Sequence, residues 1–345
     1  MSVTLFTNSL NFNDHNLEDT NQPIKRRTLI MDAVSRKTSS VNIVVNDLID
    51  LTWLTNIHDA SYLLFLKDAY DSLIIARDLL WGSAQTGLVP HQFRRFLPNK
   101  ETPIYKLSSY YGSDYMTPIY DDTYNNAMVS ANQAYKAAEY INDNPETITY
   151  VITSSPGHHA KYDQYGGYCF INNGLVAAYR LSELNCNKKN IVILDLDYHA
   201  GNGTAELICN DPKLDNIKAI SLHCDPKYDY PSYEGYESDC GINYVLPPHC
   251  DWITYKSTLQ RACENMFSSN VDWLIIAFGG DTFHNDPDAS NLGKFSLEVD
   301  NYLEMGKIIR SYFKKVPILI TQEGGYDMDN ISDIVTNFIK GLNTL

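Results

Sequence analysis

The sequence has no long apolar run. Nowhere does it reach the roughly 18 to 20 consecutive apolar residues that a bilayer span requires, so no membrane helix is expected. It has no basic start leading into an apolar stretch either. Met1 to Asn13 is mixed and polar, which predicts no secretory signal. The cysteines number seven, with no C-x-x-C pair among them. An odd, scattered set argues against a disulfide framework and against a zinc ribbon; it points to free thiols in the cytoplasm or another reducing compartment. Basic residues are in deficit: 27 Lys and Arg against 42 Asp and Glu give a formal net charge of −15. Nucleic-acid binding needs a basic footprint, so no direct binding is expected. Cationic ligands would be attracted instead, weakly at physiological salt. Internal repeats and low-complexity blocks are also lacking.

What is present is a chain of 345 residues, 44% hydrophobic, enough for one large core. Short apolar runs at Tyr150–Thr153, Ile191–Leu194, Ile217–Leu222, Trp273–Phe278 and Val316–Ile320 are rich in Val, Ile and Leu on both faces. Such runs predict parallel strands buried under helices. Helical patterns fall between them, near Asp122–Ile141, Asn173–Glu183, Ile253–Phe267 and Leu297–Phe313. The alternation predicts a doubly wound α/β fold with a parallel sheet, over a length that fits one large domain or two ordinary ones. Residues 7–27 are polar and read as loop, so the segment 1–27 is expected to be partly irregular. Residues 82–121 read as a long surface excursion near a functional rim.

Every predicted strand runs into polar residues at its carboxyl end, where open α/β sheets bind ligands. The first leads to Ser154-Ser155-Pro156-Gly157-His158-His159, and the second to Asp195-Leu196-Asp197-Tyr198-His199. The third leads to Ser221-Leu222-His223, the fourth to Gly279-Gly280-Asp281, and the fifth to Glu323-Gly324-Gly325-Tyr326. In an extended segment Asp197 and His199 point to the same side. They form either a metal half-site, which Asp281 would complete, or an ordinary loop hydrogen bond. His158 and His159, on a Pro-Gly turn, suit general acid and base chemistry or are plain loop histidines. Asp195 and Asn202 could orient their rings, and Tyr326 could donate to an oxyanion or simply pack.

Together, SSPGHHAKYDQYGGYCFINN (154–173), ILDLDYHAGNGT (193–204), ISLHCDP (220–226), GGDTFHNDP (279–287) and QEGGYDMDNI (322–331) resemble the histone deacetylase superfamily. Weaker similarity reaches IHDASYLLFL (57–66) and Thr117-Pro118-Ile119. The forms YCFINN, AGNGT and EGGY look most like its acetylpolyamine amidohydrolase branch. The resemblance implies an α/β arginase-like fold with a central parallel sheet of eight strands, in a single domain over residues 1–345. It implies a Zn²⁺ ion, or Fe²⁺ in its place, on Asp197, His199 and Asp281, with His158 and His159 as the acid/base pair and Tyr326 polarising the carbonyl. It further implies a structural K⁺ near Asp195, Ser221 and Leu222, and a substrate tunnel lined by Gly167, Tyr168 and Tyr230.

Ala200 and Asn202 stand where many protein deacetylases carry His and Asp. At the rim, Tyr105 and Met116 are placed where polyamine-specific relatives carry acidic residues, and Asp288 offers a carboxylate nearby. On that basis the expected substrate is acetyl-lysine in a peptide or protein, histones included, with an acetylpolyamine as the alternative. A dimer is compatible with this reading. A binuclear ureohydrolase is not expected, because Ala-Gly-Asn after His199 offers no further carboxylate ligand. A non-catalytic acetyl-lysine-binding protein on the same fold would show a damaged ligand set or no Tyr326, and neither is found.

Overall fold

The computed structural model describes residues 2–10, 23–80, 87–93, 97–186, 189–237 and 239–344. Eight strands form one sheet: β1 (Val3–Thr7), β2 (Ser40–Val44), β3 (Ile148–Val151), β4 (Ile191–Asp195), β5 (Ile217–Cys224), β6 (Ile242–Leu246), β7 (Trp273–Phe278) and β8 (Ile318–Gln322). Their order is β2-β1-β3-β8-β7-β4-β5-β6, and every pairing is parallel. The helices are α1 (Pro23–Lys37), α2 (Leu51–Leu54), α3 (Ala60–Leu80), α4 (Ser108–Tyr111), α5 (Thr123–Asp143), α6 (Asn173–Leu184), α7 (Asn202–Asn210), α8 (Trp252–Ser268), α9 (Val299–Tyr312) and α10 (Ile331–Leu342).

The central strands β3, β4, β7 and β8 are buried throughout, which explains their apolar character on both faces. Their side chains divide between two cores. Leu194, Ile276 and Ile320 pack on one side with α8, α9 and α10; Ile193, Ile275 and Leu319 pack on the other with α3, α5 and α6. A parallel sheet of this kind brings the residues after β3, β8, β7 and β4, four neighbouring strands, to one edge.

The three strands with no signal in the sequence are β1 and the two edge strands, β2 and β6. Both edge strands are only partly covered, so neither carries the apolar run of a buried strand. Helix α1 begins at Pro23, inside the stretch read as loop; residues 11–22 lie outside the described residues. In the excursion, an antiparallel bridge pairs Leu88 with Ile119 and draws its two ends together. Residues 82–86 and 94–96 of it lie outside the described residues. Among the described residues no helix is long and apolar enough to cross a membrane.

Candidate active site

Asp197, His199 and Asp281 converge beyond the ends of β4 and β7. One ligand atom from each lies within 4.8 Å of the others, and all three residues are buried. His199 Nδ1 is 3.2 Å from Asp197 Oδ1 and 3.2 Å from Asp281 Oδ2. Backbone amides complete the cradle: Gly324 N donates to Asp197 Oδ2 at 2.7 Å and Tyr198 N to Asp281 Oδ1 at 3.0 Å. A side chain at position 279 would come within 2.2 Å of Asp197 Oδ2 and 2.5 Å of Asp281 Oδ1, so only glycine fits between the carboxylates. Burial, and then repulsion from Asp197, pushes Asp281 well above the usual carboxylate range. Two buried carboxylates and one imidazole aimed at a common point call for a cation, and the O, N, O donor set with room on one side suits a catalytic divalent metal.

His158 and His159 sit side by side, ring centroids 3.9 Å apart. They differ in their partners. His158 Nδ1 is 3.0 Å from Asp195 Oδ2, and its Nε2 is 3.7 Å from Asp197 Oδ1. Burial works against a charged ring, but Asp197 and Asp195 outweigh it and lift His158 to about 10. His159 Nδ1 meets the neutral Asn202 Oδ1 at 2.8 Å. Burial first, then the neighbouring imidazoles of His158 and His199, hold His159 well below the ordinary imidazole value. The adjacent histidines thus stand in unlike surroundings, His158 against carboxylates and His159 against a neutral amide.

Glu323 fixes the turn that carries them. Its Oε2 accepts from Gly157 N at 2.6 Å and from His158 N at 3.1 Å, and its Oε1 from Thr321 Oγ1 at 3.0 Å. Burial pushes Glu323 up to about 7. With His158 and Cys169 it forms a second cluster of potential ligand atoms, but its oxygens are occupied by these donors.

One pocket of about 570 Å³, partly open to solvent, joins these groups. Gly167, Tyr168, Tyr230, Met116, Asp288 and Tyr326 line it with the histidines and the carboxylate cluster. Gly167 has φ 53° and lies against the His159 ring, where a Cβ would come within 2.2 Å of Cδ2. Tyr230 meets the same ring edge-on at 4.6 Å. Tyr105 does not line the pocket, contrary to its expected place at the rim. Its ring packs against the core on the α3 and α5 side, with Lys106 Nζ 5.9 Å from it. A rough register through the excursion cannot tell which residues turn inward, because no periodicity governs that segment.

Two lining residues were missed in the sequence. Asp114 reaches the pocket from the excursion; its Oδ2 accepts from Gly167 N at 2.7 Å and its Oδ1 from Met116 N at 2.8 Å. Asp229 lies 3.8 Å from His199 Nε2 and accepts from Ser290 N at 2.6 Å. No local motif marks either, since the contacts that hold each at the pocket, Gly167 for Asp114 and His199 and Ser290 for Asp229, come from far along the chain. Asp195 and Ser221 are register partners on β4 and β5, with Leu222 next along the strand, and a small cavity borders Asp195 and Ser221. Ser221 Oγ is paired with His223 Nδ1 at 2.7 Å.

Residues 21–342 match the histone deacetylase domain family. An acetylpolyamine amidohydrolase of Mycoplana ramosa is 32% identical over 300 residues, 85% of this chain and 83% of its own. Acetylpolyamine amidohydrolase 1 of Pseudomonas aeruginosa is 31% identical over 296 residues, 84% of this chain and 82% of its own. The crystal structure of an acetylpolyamine aminohydrolase from Burkholderia pseudomallei superposes with a TM-score of 0.82 at 22% identity, covering 99% of both chains.

Proposed function

Because the chain belongs to the histone deacetylase family and is a hydrolytic deacetylase, we propose that its substrate is an N-acetylated polyamine. The lean toward acetyl-lysine drawn from the rim is corrected here. Its two supports were Tyr105, which is packed away from the pocket, and Met116, which stands two residues from the pocket carboxylate Asp114. The relatives reported above are named for acetylpolyamines. The observation that carries the proposal is the lining of one pocket by Asp114, Asp229 and Asp288 beyond the metal carboxylates. A polyamine keeps ammonium groups distal to the acetylated nitrogen, and carboxylates pair with them through charge-assisted hydrogen bonds.

Asp197, His199 and Asp281 would hold Zn²⁺, which supplies Lewis-acid polarisation of the acetyl carbonyl and of water. His159, with Nδ1 engaged by Asn202, presents Nε2 as the base that takes the proton of the attacking water. His158, held charged by Asp195, returns a proton to the leaving nitrogen, which departs as an amine. The Tyr326 hydroxyl donates to the oxyanion. Gly167, Tyr168 and Tyr230 would wall the tunnel around the aliphatic stem. A structural K⁺ would sit beside Asp195, Ser221 and Leu222.

The test compares kcat/KM for acetylspermidine and for an acetyl-lysine peptide. The polyamine is expected to win by more than about tenfold, roughly 1.4 kcal/mol of transition-state binding. Asp288→Asn should reduce that margin. A peptide preference of the same size would overturn the reading.

A further inference from the structure

The Asn202 side chain stands between two groups with opposite demands. Its Oδ1 faces His159 Nδ1 at 2.8 Å, and its Nδ2 faces Glu234 Oε2 at 2.7 Å. A carboxylate only accepts, so Glu234 dictates that the amide nitrogen points toward it. The amide oxygen is thereby turned to His159, and an oxygen requires a donor. The other Glu234 oxygen, Oε1, is held by Lys161 Nζ at 2.7 Å, and Lys161 also pairs with Glu206 of α7 at 3.2 Å. The loop that carries Glu234 is anchored at the next residue, where the Gly235 carbonyl accepts from His223 Nε2 at 2.7 Å. Lys161 is buried, and Asn202 is buried at the first turn of α7.

We propose that Glu234 is a positioning residue for the hydrolysis: by fixing the Asn202 amide it keeps the His159 proton on Nδ1 and leaves Nε2 bare toward the pocket. This rests on the reading of His159 as the base. An Asp in place of Asn202 would accept from His159 whichever way it turned. An Asn has two unlike ends and needs a third group to choose between them, and Glu234 makes that choice.

The variant Glu234→Gln keeps shape and volume. Lys161 would retain the new amide oxygen, so the amide nitrogen would face Asn202. Asn202 would then turn its own oxygen to Gln and its nitrogen to His159, forcing the imidazole proton onto Nε2. The expected result is a fall in kcat of about 10- to 100-fold, the usual range for a lost orienting partner, with KM and metal content near wild type. ¹⁵N spectra of the imidazoles should show the His159 proton moved from Nδ1 to Nε2. The double variant N202D/E234Q should recover most of the lost kcat and the Nδ1–H signal, since Asp accepts from both neighbours. Wild-type kcat in Glu234→Gln, an unmoved His159 proton, or a double variant no better than the single one would each overturn the inference. The base reading itself is tested separately by His159→Ala: retained kcat there would sink that reading, while the proton signal reports on Glu234 regardless of activity.

Discussion

Tyr326 is buried, and its ring meets Tyr168 edge-on at 6.0 Å and the Arg26 guanidinium at 5.2 Å. Burial raises its hydroxyl well above the phenol range, which favours the protonated form that the proposed donor role needs. Tyr326→Phe removes that donor and little else. Its kcat should fall about 100- to 1000-fold, with circular dichroism and bound metal unchanged; near-wild-type kcat would mean a packing role. Asp288 gives a pH signature. Burial lifts it to about 6, with Asp286 adding to the rise and His199 opposing it. It is therefore mostly charged at pH 7 and neutral at pH 5. The KM for acetylspermidine should climb as pH falls across that interval, and the climb should vanish in Asp288→Asn. The carboxylates and histidines of the centre were legible because each lies within a few residues of a strand end. Asp114 and Asp229 were not, because only contacts made across the fold bring them to the pocket.

At the scale of elements, Asn172 links three of them. Its side chain accepts from Leu175 N at 2.9 Å as the N-cap of α6, and its amide nitrogen donates to Thr204 Oγ1 of α7 at 2.9 Å. Its own amide donates to His58 Nε2 at 3.1 Å, just ahead of α3. The side chain is fully buried, so Asn172→Ala loses a cap worth about 1 kcal/mol and takes from the buried Thr204 oxygen its donor, at about 1–3 kcal/mol, while Thr204 still donates to the His158 carbonyl. Urea unfolding should show a total loss of about 2–4 kcal/mol at unchanged slope; a loss below about 1 kcal/mol would mean that water replaces both bonds. The buried strands were readable as Val, Ile and Leu runs, displaced by two residues in β3 and β8. Strands β2 and β6 were not, since an edge strand needs an apolar face only where a neighbour covers it. Helix α7 is short and begins inside a motif rich in glycine, Ala200-Gly201-Asn202-Gly203, so propensity hides it.

For the molecule as a whole, the net charge of −15 should steer a cationic substrate toward the pocket. The Debye length shrinks from about 30 Å at 0.01 M salt to about 8 Å at 0.15 M. Over that range kcat/KM for acetylspermidine should drop, while a neutral acetylated amide should show little change; equal salt dependence for both would exclude steering. The sequence by itself determined the fold class, the family likeness and the chemistry. Buried parallel strands demand continuous apolar runs, and the groups proposed to bind metal and move protons follow those runs directly. The tertiary structure alone decided the surroundings of that chemistry: that Tyr105 turns to the core while Asp114 turns to the pocket, that Glu323 pins the His158-His159 turn, and that Glu234 reaches Asn202. Those contacts join segments tens to hundreds of residues apart, and no local pattern encodes a partner that only the folding of the sheet brings within hydrogen-bond distance.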